Sequence, residues 1–163
     1  MIESLAPYVP SEPYIVTRML ELARVGPEDI VVDLGCGDGR ILITAVKEFH
    51  VQKAVGYEMQ RDLYTRAVHA VTKQGLASRI TVINGDLLQA DLSHATVITL
   101  YLTTAGNTRL RPKFETEAHA GTRIVSHAFT IPGWTPSLVA KCEVPYGPFL
   151  YLYVRPKGDH QQP

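Results

Sequence analysis

The chain has 163 residues, of which 45% are hydrophobic and 20% charged, and its sixteen basic residues balance sixteen acidic ones. That length and mix suit one compact domain with a real core, while a net charge of zero offers no bulk attraction to nucleic acid or to an anionic membrane. No stretch approaches the length of a membrane span, Met1 to Pro10 lacks the basic start and apolar run of a signal peptide, and two cysteines make neither a disulfide framework nor a metal-ligand pattern. The expectation is a cytoplasmic, reduced protein without metal, folded as a single domain over 1–163. Within it, 1–29 forms an N-terminal loop and helix, and 158–163 a loose tail.

From Ser11 or Glu12 to Val25, apolar residues at Ile15, Met19, Leu20, Leu22 and Ala23 predict an amphipathic helix. Ile30 to Leu34 reads as a buried strand that runs directly into Gly35-Cys36-Gly37-Asp38-Gly39, with a helix from Arg40 to Phe49 behind it. Such a turn brings backbone N–H groups and a helix N-terminus against a bound cofactor. Charge selects which cofactor. A dinucleotide loop wants glycine or alanine where this chain has Arg40. Asp33 and Asp38 would repel a pyrophosphate but suit a ligand carrying positive charge. S-adenosylmethionine, with its sulfonium and ammonium groups, is such a ligand, and Asp33, Leu34, Gly35, Cys36, Gly37, Asp38 and Gly39 form its candidate loop. Cys36, held between two glycines, reads as a small packing residue.

The second strand, Ala54 to Glu58, closes on an acid one β-α-β unit later, so Glu58, with Met59 beside it, is placed to accept from a ribose diol. Arg61 to Gln74 is the next helix, closed by Gly75. A third strand starts at about Ile80 and ends in Gly85-Asp86-Leu87, where Asp86 suits an adenine amine and Leu87 its ring face. Three successive strands thus each end in an acid, at the sheet edge where open α/β folds bind ligands. Ala95 to Leu102 is the fourth strand, Thr108 to Ala118 a helix stopped near Gly121, and Thr122 to Phe129 the fifth strand. Pro132-Gly133 then breaks the pattern, and Leu138 to Val144 faces Phe149 to Val154 across Pro145-Tyr146-Gly147-Pro148 as a terminal hairpin. The predicted fold is α/β: a Rossmann-like three-layer sandwich whose mainly parallel seven-stranded sheet ends in an antiparallel C-terminal hairpin.

On these residues the chain resembles the seven-strand class of S-adenosylmethionine methyltransferases. It is most similar there to small archaeal protein-lysine methyltransferases and their mitochondrial relatives acting on the ATP-synthase c-subunit and the adenine nucleotide translocase. The likeness rests on Pro7-Tyr8-Val9-Pro10, Asp33 to Arg40, Ala54 to Glu58, Gly121 to His127, Gly133-Trp134 and Tyr151 to Val154. It implies methyl transfer to the ε-amine of a lysine in a protein substrate.

The lysine must attack as a neutral amine although its reference pKa is about 10.4, so burial beside a cationic donor is the natural way to deprotonate it. Acceptors then need only align the lone pair. Candidates are Tyr8, Tyr101 with Thr103 after the fourth strand, and Ser126 with His127 after the fifth; Tyr101 is also counted with the donor site. Trp134 reads as a packing anchor for the hairpin, although the resemblance would let it line a substrate groove. The fourth strand lacks the Pro-Pro-aromatic clamp used for flat amides and ring nitrogens, which favours a flexible amine. No nucleic-acid or membrane partner is expected; oligomeric state is open, a monomer included. The alternatives are a methyltransferase acting on RNA or a small metabolite, and a non-catalytic S-adenosylmethionine-binding protein.

Overall fold

The computed structural model describes residues 4–157, so the tail read over 158–163 lies outside the described residues. The elements are α1 (Pro13–Leu22), β1 (Ile30–Leu34), α2 (Arg40–Phe49), β2 (Lys53–Glu58), α3 (Arg61–Lys73), β3 (Ile80–Asn84), a 3-10 turn (Leu87–Gln89), β4 (Val97–Leu100), α4 (Thr104–Glu117), β5 (Arg123–His127), β6 (Leu138–Lys141) and β7 (Phe149–Val154). The strands form one seven-stranded sheet in the order β3-β2-β1-β4-β5-β7-β6. The first five are parallel, and β7 runs antiparallel to both β5 and β6. This is the predicted α/β architecture. The order reverses between β1 and β4, and such a reversal opens a crevice at the carboxyl ends of the strands.

Burial on both faces explains the near-continuous apolar runs of the central strands: Val31, Val32 and Leu34 of β1, and all four residues of β4, are buried. On one face α1, α2 and α3 supply Met19, Leu20, Leu42, Ala45 and Val71 to a shared core. The other face is packed by Leu110 and Phe114 of α4, Leu87 of the 3-10 turn and Leu92 just after it.

Several boundaries differ from the sequence reading, each for a local reason. The first helix starts with Pro13 in its first turn and ends before Arg24, whose φ of 52° is left-handed. The fourth helix begins four residues earlier than expected because the Thr103 hydroxyl accepts from Gly106 N at 3.0 Å, capping a turn that Gly106 and Asn107 disguise. Gly106 is needed there: a Cβ would stand 2.8 Å from the Leu5 carbonyl of the crossing N-terminal segment. Strand β5 stops at His127, where Phe129 N donates to His127 O across Ala128 at φ 67°. Trp134 sits against Phe114 and Tyr153, with its Nε1 donating to Glu115, so it is a packing anchor between α4 and β7.

Candidate functional site

Sheet register, before any chemistry, decides which residues meet. Leu34 lies opposite Tyr57 and Leu100, and Leu100 opposite Ser126. The next residue along each strand therefore stands at one level: Glu58, the last residue of β2, Gly35 and Tyr101, just past β1 and β4, and His127, the last residue of β5, form a row. Above this row lies a cleft open to solvent. Asp33, Gly35, Cys36, Gly37, Asp38, Glu58, Met59, Asp86, Leu87 and Tyr101 all line it. So does the strap of residues 4–11, which carries Tyr8 across it.

The glycine turn is shaped by its neighbours. Gly35 N and Cys36 N both donate to Tyr57 O, at 2.8 and 3.0 Å, tying the turn to the end of β2. Glu58 completes the tie: its two carboxylate oxygens accept from Gly37 N at 2.9 Å and Gln60 N at 2.8 Å. Each oxygen keeps a further lone pair for a ligand. Gly37, at φ 56°, has the Tyr8 ring so close that a Cβ would come within 2.6 Å of it. Gly39 permits a different approach, with α3 at Ala67 packing against it. Cys36 packs its Sγ on Gly56, and burial pushes its thiol pKa up, as expected for a packing residue.

Charge in the cleft is strongly graded. Asp33 is buried with Thr99 Oγ1 donating to it at 2.9 Å, and desolvation, reinforced by Glu58 and Asp38, lifts its pKa to about 7 despite that bond. Asp38 is different. Arg40 grips it with Nε at 3.0 Å and Nη2 at 2.6 Å, which holds its carboxyl below the usual range. Asp86, which lines the cleft, accepts from Leu88 N at 3.0 Å through one oxygen. A buried acid short of cationic partners on the cleft floor, with two more acceptors along one wall, fits a ligand bearing positive charge and hydroxyl or amine donors.

Tyr8 is half-buried, and burial followed by the Asp38 charge raises its phenol pKa. Its strap is pinned at both ends. Thr103 Oγ1 donates to Leu5 O at 3.0 Å, and Arg40 Nη1 donates to Ser11 O at 2.9 Å.

The remaining sequence candidates are not in the cleft lining. Leu34 is buried in the core, and Gly85 N donates to Glu58 O at 3.1 Å, bracing the acid from behind. Ser126 is fully buried and donates to Phe129 O at 2.5 Å. His127 lies beneath Tyr101, buried, with Nδ1 2.8 Å from the Ser11 hydroxyl. Thr103 is spent on the helix cap and the strap. Sequence reasoning missed Ser11, Arg40 as a clamp, and Asn107, whose Nδ2 donates to Ser126 Oγ, Phe129 O and Thr130 O. Asn107 carried one signal, an amide-bearing residue on what became a buried helix face. Ser11 carried none, since its partner His127 is 116 residues away. Among the described residues no group of three or more His, Cys, Asp or Glu could hold a metal, and no helix is long and apolar enough to cross a membrane.

Comparison with known proteins adds the family context. Residues 33–138 match the ANTKMT methyltransferase domain. A protein-lysine N-methyltransferase of Saccharolobus islandicus (strain REY15A) is 47% identical over 95% of this chain and 96% of its own length. The lysine N-methyltransferase of Xenopus laevis that acts on the ATP-synthase c-subunit is 31% identical over 80% of this chain; the match spans 56% of that relative. Among solved structures, an RNA methyltransferase from Salinibacter ruber in complex with S-adenosyl-L-homocysteine superposes with a TM-score of 0.87 at 38% identity, covering 94% of this chain and 98% of that one.

Proposed function

The chain belongs to the methyltransferase family of the ANTKMT domain, and we propose on that premise that it moves a methyl group from S-adenosylmethionine to the ε-amine of a lysine in a protein substrate. The observation that carries the lysine reading is the likeness, along nearly the whole chain, to the Saccharolobus islandicus protein-lysine N-methyltransferase. When bound, S-adenosylmethionine supplies an electrophilic methyl group on a sulfonium. Asp33 would meet the positive charge of the donor from the cleft floor, Glu58 would take the ribose hydroxyls with its free lone pairs, and Asp86 with Leu87 would take the adenine. The backbone of Gly35 to Gly37 shapes the wall between them. All of these groups lie within the described residues 4–157.

Methyl transfer from a sulfonium is an in-line displacement, so alignment and exclusion of water supply most of the acceleration. The strap closes the cleft over Gly37 with the Tyr8 ring and limits the water reaching it. An ε-ammonium entering beside Tyr101 is desolvated there, which lowers its pKa and releases its proton to solvent before attack. The hydroxyls of Tyr8 and Tyr101 then accept from the amine and aim its lone pair. Cys36 and Cys142, both buried and unpaired, support a cytoplasmic, reducing address.

A second reading, transfer to RNA, is favoured by the likeness to the Salinibacter ruber structure. Neutral net charge argues against it. The test is incubation with methyl-labelled S-adenosylmethionine and an extract of the source organism, divided between protease and ribonuclease. Label released by protease and resistant to ribonuclease is expected. Label lost to ribonuclease would transfer the assignment to RNA.

A further inference from the structure

The acceptor end of the cleft has a built support that none of the reaction steps above uses. The His127 ring stacks on Tyr101 with centroids 3.6 Å apart and planes 16° from parallel. His127 is buried, it does not line the cleft, and burial holds its pKa at about 4. The imidazole is therefore uncharged near neutrality and too weak a base to take a proton from an ammonium. What it offers instead is a flat, immobile face.

Its immobility has an identifiable origin. Nδ1 is 2.8 Å from the Ser11 hydroxyl, the Ser11 carbonyl accepts from Arg40 Nη1, and the other two guanidinium nitrogens hold Asp38 of the glycine turn. A continuous run of contacts thus passes from Asp38 through Arg40, Ser11 and His127 to Tyr101. A tyrosine at a strand end has two rotatable side-chain angles, and stacking on a fixed ring removes most of that freedom.

We propose that His127, pinned by Ser11, is the positioning residue that fixes the Tyr101 ring and thereby the direction its hydroxyl presents to the incoming amine. This rests on the reading of the cleft as a lysine methyltransferase site. Burial serves the same end: an imidazolium at 3.6 Å would add positive charge beside a site that must receive a sulfonium and an ammonium.

The test compares His127→Phe, which keeps a flat ring, with His127→Ala, which removes it, and Ser11→Ala, which frees the imidazole. Tyrosine ring signals are followed by NMR in the protein carrying S-adenosylhomocysteine, whose affinity is measured by calorimetry. Turnover is measured with labelled donor and extract protein. The expected result is that His127→Ala shifts the Tyr101 ring signal and slows turnover by roughly ten- to a hundredfold while S-adenosylhomocysteine affinity changes by less than about threefold. His127→Phe, which keeps a flat ring but loses the bond to Ser11, recovers part of the ring shift and of the turnover, and Ser11→Ala, which keeps the imidazole stack, retains at least as much of both. An unmoved Tyr101 signal in His127→Ala and Ser11→Ala, or loss of turnover matched by loss of S-adenosylhomocysteine affinity, overturns the proposal. If His127→Ala does not fold, Ser11→Ala and His127→Phe decide it. A wild-type protein that labels no lysine refutes the lysine reading instead, while the ring signals still report on the stack.

Discussion

Glu58 does two things at once, and its neighbours show which would fail first. Both its oxygens already hold backbone N–H groups of the glycine turn and the start of α3. Glu58→Gln keeps one acceptor and so loses one of these bonds; Glu58→Ala loses both and leaves Gly37 N buried without a partner. Calorimetry with S-adenosylhomocysteine is expected to show a loss of affinity of about tenfold or more for Glu58→Ala and a smaller one for Glu58→Gln. Equal affinity in wild type and Glu58→Ala would remove this acid from the donor site. Asp33 gives a pH signature. Its folded pKa of about 7 lies above the ordinary 3.8, so between these values the folded protein holds a proton that the unfolded chain has released. Its contribution to stability is full below the lower value and is lost as pH rises through the upper one. Binding of a cation runs the other way, because the ionised carboxylate is the form that attracts it. Donor affinity should strengthen from pH 6 to 8 in the wild type and stay flat over that range in Asp33→Asn. Parallel pH profiles for the two proteins would contradict the assignment. Tyr8→Phe should leave donor affinity nearly intact and slow transfer, as judged by single-turnover rates; an unchanged rate would make Tyr8 a cover and nothing more.

The loops after the strands carry strain and close approaches that propensity does not reveal, and two of them yield sharp tests. Ala128 sits at φ 67° between β5 and the aromatic rim, with its N–H donating to Phe149 O at 2.8 Å. A side chain in that region costs about 1–2 kcal/mol, against about 0.4–1 kcal/mol of added unfolded-state entropy for glycine, so Ala128→Gly should raise Tm by about one to two degrees. A lower Tm would mean that the turn is not strained. At Gly106 two effects oppose each other. Alanine in a helix interior gains about 1 kcal/mol over glycine. The added Cβ, however, meets the Leu5 carbonyl at 2.8 Å, a backbone atom pinned by Thr103. The clash should win, with Gly106→Ala lowering Tm and weakening donor affinity together as the strap lifts off the cleft. A stabilised variant with unaltered affinity would show that the strap does not bear on α4. These same loops mark where the sequence can be read and where it cannot. The helix behind the glycine turn is bounded to the residue by Arg40 and Phe49, because apolar periodicity and glycine punctuation are both local signals. The start of α4 is hidden because its cap, Thr103, precedes a turn containing Gly106, whose reason is the contact with Leu5, about a hundred residues earlier in the chain.

Across the entire fold, alternation of apolar strands and periodic helices, ending in a hairpin, is enough to give a seven-stranded mixed sheet. The acids at its edge are legible for the same reason: Glu58 closes β2, Asp33 is the last but one residue of β1, Asp86 follows β3 by two residues, and parallel register brings these strand ends together. What cannot be read is the layer beneath. That Ser126 holds a loop, that His127 stacks on Tyr101, and that Arg40 joins the glycine turn to the strap are facts of packing between distant segments, with no periodicity to announce them. On the proposed reading, the central crevice of the sheet takes a cationic donor on one side and a macromolecular amine on the other. What defines its chemistry is the atom that receives the methyl group. Proteins labelled by the purified enzyme and methyl-labelled S-adenosylmethionine should be hydrolysed in acid and their amino acids separated. The label is expected to elute with Nε-methylated lysines. Label recovered as volatile methanol from carboxyl esters, or on arginine or histidine, would contradict transfer to lysine.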